Sequence, residues 1–257
     1  MIDLHCHILP GVDDGPATVG AAMDLARGAQ ADGITTIAAT PHVDWSHPAL
    51  DARSIAAAVA RLQAALDTTG VDVRVVPGAE VAAGRGAELD DAQLDDLTLG
   101  GAGWLLLECP TRSTLTPGFL GVARRLAHRG HRLLLAHPER CPIFLRKPEA
   151  LDELVAEGML SQVTAASLSG RFGRTVEQRA LDLVARGSVH VVASDGHDGG
   201  RPAEIGSELA GTPIDPALTA WLTRDVPAAL LSGGEPPPRP EVGPRHRPGR
   251  LLRLVGR

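Results

Sequence analysis

One pattern recurs along this chain: an alanine-rich stretch with apolar residues at helical spacing, a glycine, then a short run of β-branched or leucine residues. Val19, Ala22, Met23 and Ala26 form the first such face, behind Pro16, which suits a first helical position. Gly33 closes it, and residues 34–38 read as a strand. Ile55, Val59, Leu62 and Leu66 form the next face, closed by Gly70 ahead of a strand at 71–76. A glycine cluster precedes 104–107, and Gly130, Gly158 and Gly187 precede 133–135, 159–163 and 189–193. With residues 2–4 at the start, seven strands joined by crossovers are predicted. Their runs are continuously apolar rather than alternating, as befits parallel strands covered on both faces. The expected fold is α/β: a seven-stranded (β/α)7 distorted TIM-like barrel. An open doubly wound sheet is the alternative, but no glycine-rich phosphate loop follows the first strand.

The chain has 257 residues, 44% hydrophobic and 22% charged, which suits one globular barrel with an appendage. The barrel is expected over 1–232. Residues 233–257 read as a Pro/Arg-rich C-terminal tail, with six prolines between Gly233 and Gly249, and with Leu251, Leu252, Leu254 and Val255 as a segment that docks or frays. That tail carries six arginines against Glu235 and Glu241, so the rest of the chain is more acidic than the net charge of −6. An acidic body excludes nucleic acid as the main partner. Aromatic residues are 2% of the chain, so the core must be aliphatic and base-stacking platforms are missing. Cys6, Cys109 and Cys141 are odd in number and widely spaced, which does not suit a disulfide framework. No long apolar run and no export signal is present, so a cytoplasmic location is expected.

In a parallel barrel, functional groups gather where strands end. His5-Cys6-His7 and then Asp13-Asp14 follow the first strand here, and Thr40-Pro41-His42 the second. Glu80 follows the third, Glu108 the fourth, His137-Pro138-Glu139-Arg140 the fifth, and Ser194-Asp195-Gly196-His197 the seventh. His5 and His7 stand two apart on a strand, so both imidazoles point one way. A single histidine at a strand end is usually a hydrogen-bonded structural residue, and Asp13-Asp14-Gly15 could be a helix cap. Helix capping gives no reason to repeat histidine or a carboxylate at the same end of six strands. Asp14 is therefore read as a ligand and Asp13 as a cap or a support for one. Five histidines and four carboxylates (Asp14, Glu80, Glu108, Asp195) are too many for one ion, and imidazole with carboxylate suits Mn, Fe, Zn or Mg. Three divalent ions against four anionic ligands leave roughly two positive charges, suited to a phosphate dianion. Arg140 and Arg201 are the nearest cations in sequence and can grip phosphate oxygens bidentately.

The opening Met1-Ile2-Asp3-Leu4-His5-Cys6-His7, with Asp13-Asp14-Gly15, Thr40-Pro41-His42, Gly78-Ala79-Glu80, Glu108, His137-Pro138-Glu139-Arg140, Gln162-Val163-Thr164-Ala165, Ser194-Asp195-Gly196-His197 and Gly200-Arg201-Pro202, resembles the PHP (polymerase and histidinol phosphatase) superfamily. More narrowly, it resembles bacterial PHP-type protein-tyrosine phosphatases of capsule and exopolysaccharide loci. The resemblance implies three divalent ions, most often manganese or iron. It implies that His5, His7, Glu80 and Asp195 hold the first ion, that Glu80 bridges to a second held by Glu108 and His137, and that Asp14, His42 and His197 hold the third. The implied partner is a phosphotyrosine protein, a bacterial tyrosine kinase. A small-molecule phosphatase acting on histidinol phosphate is the alternative, disfavoured by carboxylates at positions 14 and 108 where histidines often stand. A non-catalytic metal-binding regulatory module is a further alternative.

Overall fold

The computed structural model describes residues 1–241; Leu251, Leu252, Leu254 and Val255 lie outside them. Among the described residues nine strands form, all paired in parallel: β1 (Ile2–Cys6), β2 (Thr36–Ala39), β3 (His42–Val43), β4 (Arg74–Pro77), β5 (Glu80–Ala82), β6 (Trp104–Glu108), β7 (Arg132–Ala136), β8 (Leu160–Thr164) and β9 (Val191–Ala193). They lie in two sheets, β1-β2-β4 and β3-β5-β6-β7-β8-β9.

The difference from the expected seven has a local cause. Beyond the second and third expected runs, 34–38 and 71–76, the chain forms two further short strands, set off by Thr40-Pro41 and by Gly78-Ala79, and each gap adjoins a proline that has no N–H for a ladder. The chain resumes in register: Glu80 N–H donates to the Pro41 carbonyl at 3.1 Å, and His42 pairs with Glu80 across β3 and β5. Two strand-end residues of the sequence reading thus begin short resumed strands.

Among the described residues no ladder joins β9 to β1; a single bridge between Cys6 and Gly196 does so. Asp195 N–H donates to the His5 carbonyl and His7 N–H to that of Gly196, both at 2.8 Å. Buried Asp3 reinforces this seam by accepting from the Ser194 backbone N–H at 3.0 Å and from the Ser194 hydroxyl.

The helices pack outside the sheets through the apolar faces that the sequence shows. The helix Val19–Ala31 buries Ala22, Met23, Leu25, Ala26 and Ala29; it starts past Pro16, because Thr18 caps it by accepting from Ala21 N–H at 3.2 Å. The helix Ala52–Thr69 opens with an Asp51/Ser54 capping box and ends on left-handed Gly70. The core is aliphatic, with Leu105, Leu106, Leu107, Leu134 and Leu135 fully enclosed.

Residues 233–241 run back over the body. Trp104 Nε1–H donates to the Gly234 carbonyl at 3.1 Å, and Trp221 Nε1–H to that of Pro237 at 2.9 Å. The Arg239 guanidinium donates to the carbonyls of Val184 and Val189 at 2.7 and 3.2 Å.

Candidate active site

Strand β1 ends inside the molecule, so His5 and His7 are fully buried and their rings project into the space that the other strand ends surround. Each ring is held by its Nδ1. His5 Nδ1–H donates to Gln162 Oε1 on β8 at 2.9 Å, and His7 Nδ1–H to Asp13 Oδ2 at 2.7 Å. His197 Nδ1–H donates to the Asp195 carbonyl at 2.9 Å. These bonds fix the tautomer that turns Nε2 inward. Asp13 also accepts from the backbone N–H groups of Gly15 and His42 at 3.0 and 3.1 Å, so it is a support, as its sequence position implied. A side chain on Gly15 would collide with the His7 carbonyl, which is why the turn carrying Asp13 and Asp14 can lie so close to β1.

Glu80, fully buried, occupies the middle. Its Oε2 lies 3.5 Å from Nε2 of both His5 and His7 and 3.0 Å from His42 Nδ1, while its Oε1 accepts from His137 Nε2 at 2.8 Å. Asp14 Oδ1 lies 3.2 Å from His197 Nε2 and 3.5 Å from His42 Nε2, on the solvent side. Three donor groups result: His7, Asp14, His42 and His197; His5, His7 and Glu80; Glu80, Glu108 and His137, with the donor atoms of each within 4.8 Å of one another. They share His7 and Glu80.

Asp195 stands outside those groups. Its Oδ1 approaches His5 Nε2 at 3.5 Å and His7 Nε2 at 3.7 Å, while its Oδ2 meets the guanidinium of Arg140 and that of Arg201, the latter at 2.7 Å. One carboxylate therefore links the imidazole cluster to both arginines. His137 and Asp195 are also the two non-glycine residues with left-handed backbone among those described, at φ 37° and 53°. Such conformations cost of order 1–3 kcal/mol each and persist where surrounding contacts force them.

The electrostatics fit a cation. Burial opposes ionisation of Glu80, yet the histidines around it hold its carboxyl well below the usual range. Asp195 is likewise held low against burial, by Arg140 first and then His5. Glu108 is pushed up to about 7, by burial and then by the charge of Glu80. Burial and Arg140 push His137 down to about 4, and burial and His7 do the same to His197. His7 rises to about 10 despite burial, through its hydrogen bonds to Asp13 and Glu80. Buried anions crowded against imidazoles form a donor set for divalent ions of the Mn, Fe or Zn kind. His42 Nδ1, Glu80 Oε2 and His137 Nδ1 are buried without a hydrogen-bond partner of acceptable geometry, and the Nε2 atoms of His5 and His7 face each other at 3.2 Å. The residues fit metal ions.

Gln162 is the residue that the strand-end reading passed over. Its signal was available: an amide in the middle of a strand, β8, whose residues are all buried. Phe172 also went unremarked; its ring lies 5.0 Å from the Arg140 guanidinium carbon.

A family model described as capsular polysaccharide synthesis, CpsB/CapC, matches residues 1–207. The chain belongs to the CpsB/CapC family. Within reach of that family, it is 34% identical to the tyrosine-protein phosphatase YwqE of Bacillus subtilis over 202 residues, covering 77% of this chain and 78% of YwqE. It is 26% identical to the tyrosine-protein phosphatase CpsB of Streptococcus pneumoniae, over 77% of this chain and 83% of CpsB. Crystal structures of YwqE and CpsB, described as metal-dependent tyrosine phosphatases, include a chain that superposes with a TM-score of 0.77 at 28% identity, covering 94% of this chain and 100% of that one. An organophosphorus hydrolase from Deinococcus radiodurans superposes with a TM-score of 0.56 at 14% identity, over 90% of this chain and 92% of the hydrolase, a likeness of fold alone. No helix among the described residues is long and apolar enough to cross a membrane.

Proposed function

We propose that this CpsB/CapC protein is a metal-dependent phosphomonoesterase that hydrolyses phosphotyrosine in proteins. The observation that carries the reading is three donor groups sharing His7 and Glu80, with Arg140 and Arg201 joined to them through Asp195. Divalent ions held by these side chains supply Lewis-acid polarisation of the phosphoryl oxygens. Arg140 and Arg201 bind the remaining oxygens. Their shared anchor on Asp195 orients both before substrate arrives, which lowers the reorganisation needed in the transition state. Arg140 is the deeper of the two, its side chain 15% exposed against 37% for Arg201, so Arg201 is the one that meets substrate at the entrance. A phenolate leaves with a pKa of about 10 and needs less proton assistance than an alkoxide.

The finer parts of the reading extend the same proposal. Three ions are held, by His5, His7, Glu80 and Asp195; by Glu80, Glu108 and His137; and by Asp14, His42 and His197. Manganese suits a set of imidazoles and carboxylates without thiolate. The two sheets are parts of one seven-run barrel, supported by the Asp3–Ser194 clamp and the Cys6–Gly196 bridge. Residues 1–232 form the catalytic unit and 233–257 its tail. The substrate is a bacterial tyrosine kinase of a polysaccharide locus, in the cytoplasm, in keeping with a family of capsular polysaccharide synthesis.

Initial rates with manganese on a phosphotyrosine peptide and on histidinol phosphate, side by side, test this. A clear preference for the peptide is expected. A preference for histidinol phosphate would keep the metal centre and overturn the substrate.

A further inference from the structure

Beside Arg201 lies a cavity of about 310 Å³, at the small end of ligand-sized cavities. Asp195, Gly200 and Arg201 line one side of it, and Ala166, Phe172 and Pro202 give the apolar walls. Arg140 does not line the cavity itself but stands behind two of its lining residues, paired with Asp195 and 5.0 Å from the Phe172 ring. Phe172 lies between the short helix Ala165–Leu168 and the helix Arg174–Arg186, in a turn closed by Arg171 N–H to the Ala166 carbonyl at 3.0 Å and Gly173 N–H to that of Gly170 at 2.9 Å. That turn sets the Phe172 ring against Arg140. The charged groups in the remaining wall satisfy each other: Glu208 accepts from the Ser169 hydroxyl and pairs with Arg171.

We propose that the cavity walled by Phe172 and Pro202 is an aryl subsite, which takes the ring of an aryl phosphate while Arg140 and Arg201 hold its phosphoryl group. It rests on the phosphatase reading above and adds the source of its selectivity. A flat ring placed there gains an aromatic partner and apolar walls, and it leaves no charge unpaired. Serine and threonine phosphates have no group that reaches into it.

The test is calorimetric binding of phenylphosphonate and methylphosphonate to the manganese-loaded protein, beside hydrolysis of phosphotyrosine and phosphoserine peptides. Wild type is expected to prefer phenylphosphonate. Phe172→Ala is expected to weaken phenylphosphonate binding about tenfold and change methylphosphonate by less than about twofold. Phe172→Leu, which keeps apolar volume without the ring, moves the same way and serves where the alanine variant fails to fold. Equal weakening of both phosphonates would mean that Phe172 acts only by packing on Arg140, and would overturn the subsite. So would equal binding of both by wild type. A wild type that prefers phenylphosphonate yet hydrolyses no phosphotyrosine keeps the subsite and overturns the phosphatase reading.

Discussion

At the scale of single residues, the site is built from pairs: a side chain facing the centre and another that holds it. The facing members were legible in the sequence, because histidines and carboxylates recur at one end of successive strands. Most of the holding members were not. Gln162 orients His5 across strands that are far apart in sequence, and only the fold brings them within 2.9 Å. The left-handed backbone of His137 and Asp195 has no sequence signature either, since neither is glycine. Gln162→Ala removes the acceptor for His5 Nδ1 and frees the ring to turn. The expected result is manganese affinity reduced about 10–100-fold, read by titration against a competing chelator, with an unchanged circular dichroism spectrum. Gln162→Glu, which keeps an acceptor, should recover part of the loss. Equal affinity in wild type and the alanine variant would show that His5 needs no such support.

Among the elements, the apolar runs located seven of the nine strands of the described residues, and glycines marked where helices hand over to strands. What the runs did not show is that the chain resumes pairing just past Pro41 and Pro77, placing His42 and Glu80 at the start of two further short strands. Nor did composition indicate that 233–241 would supply acceptors for two buried indoles. Truncation after Ser232, compared with truncation after Glu241, leaves Trp104 Nε1 and Trp221 Nε1 without partners and removes Arg239. A loss of about 2–4 kcal/mol is expected in urea unfolding, from buried donors left unmade. Identical midpoints would mean that the segment only lies on the surface. The same region sets a pH response. Burial, then the charge of Arg239, hold His190 down to about 4, while its Nδ1 accepts from Ser161 N–H at 3.3 Å. An unfolded histidine titrates near 6.5, so between there and pH 4 the unfolded chain binds the extra proton. Stability from neutral His190 is full above about pH 6.5 and is lost as pH falls toward 4. His190→Asn keeps an acceptor without a titrating ring. Its urea midpoint should fall less than that of wild type over this window, and parallel slopes would contradict the assignment.

For the molecule as a whole, the site exists because parallel strands from two sheets bring their ends to one place. The joining of the last run to the first was the least legible part. It depends on Asp3, a buried carboxylate that the sequence offered without a partner, and on Ser194, 191 residues away. The family match covers residues 1–207, and the fold superposes on a chain from the crystal structures of YwqE and CpsB. On the proposed function, this geometry hydrolyses phosphotyrosine only with metal in place. The most direct measurement is the initial rate on a phosphotyrosine peptide for chelator-stripped and manganese-reconstituted protein, with bound metal per chain determined on the same samples. No turnover is expected from stripped protein, and the rate should return in step with bound manganese. Full turnover by metal-free protein, or a metal-loaded protein that leaves the peptide untouched, would contradict the proposed function.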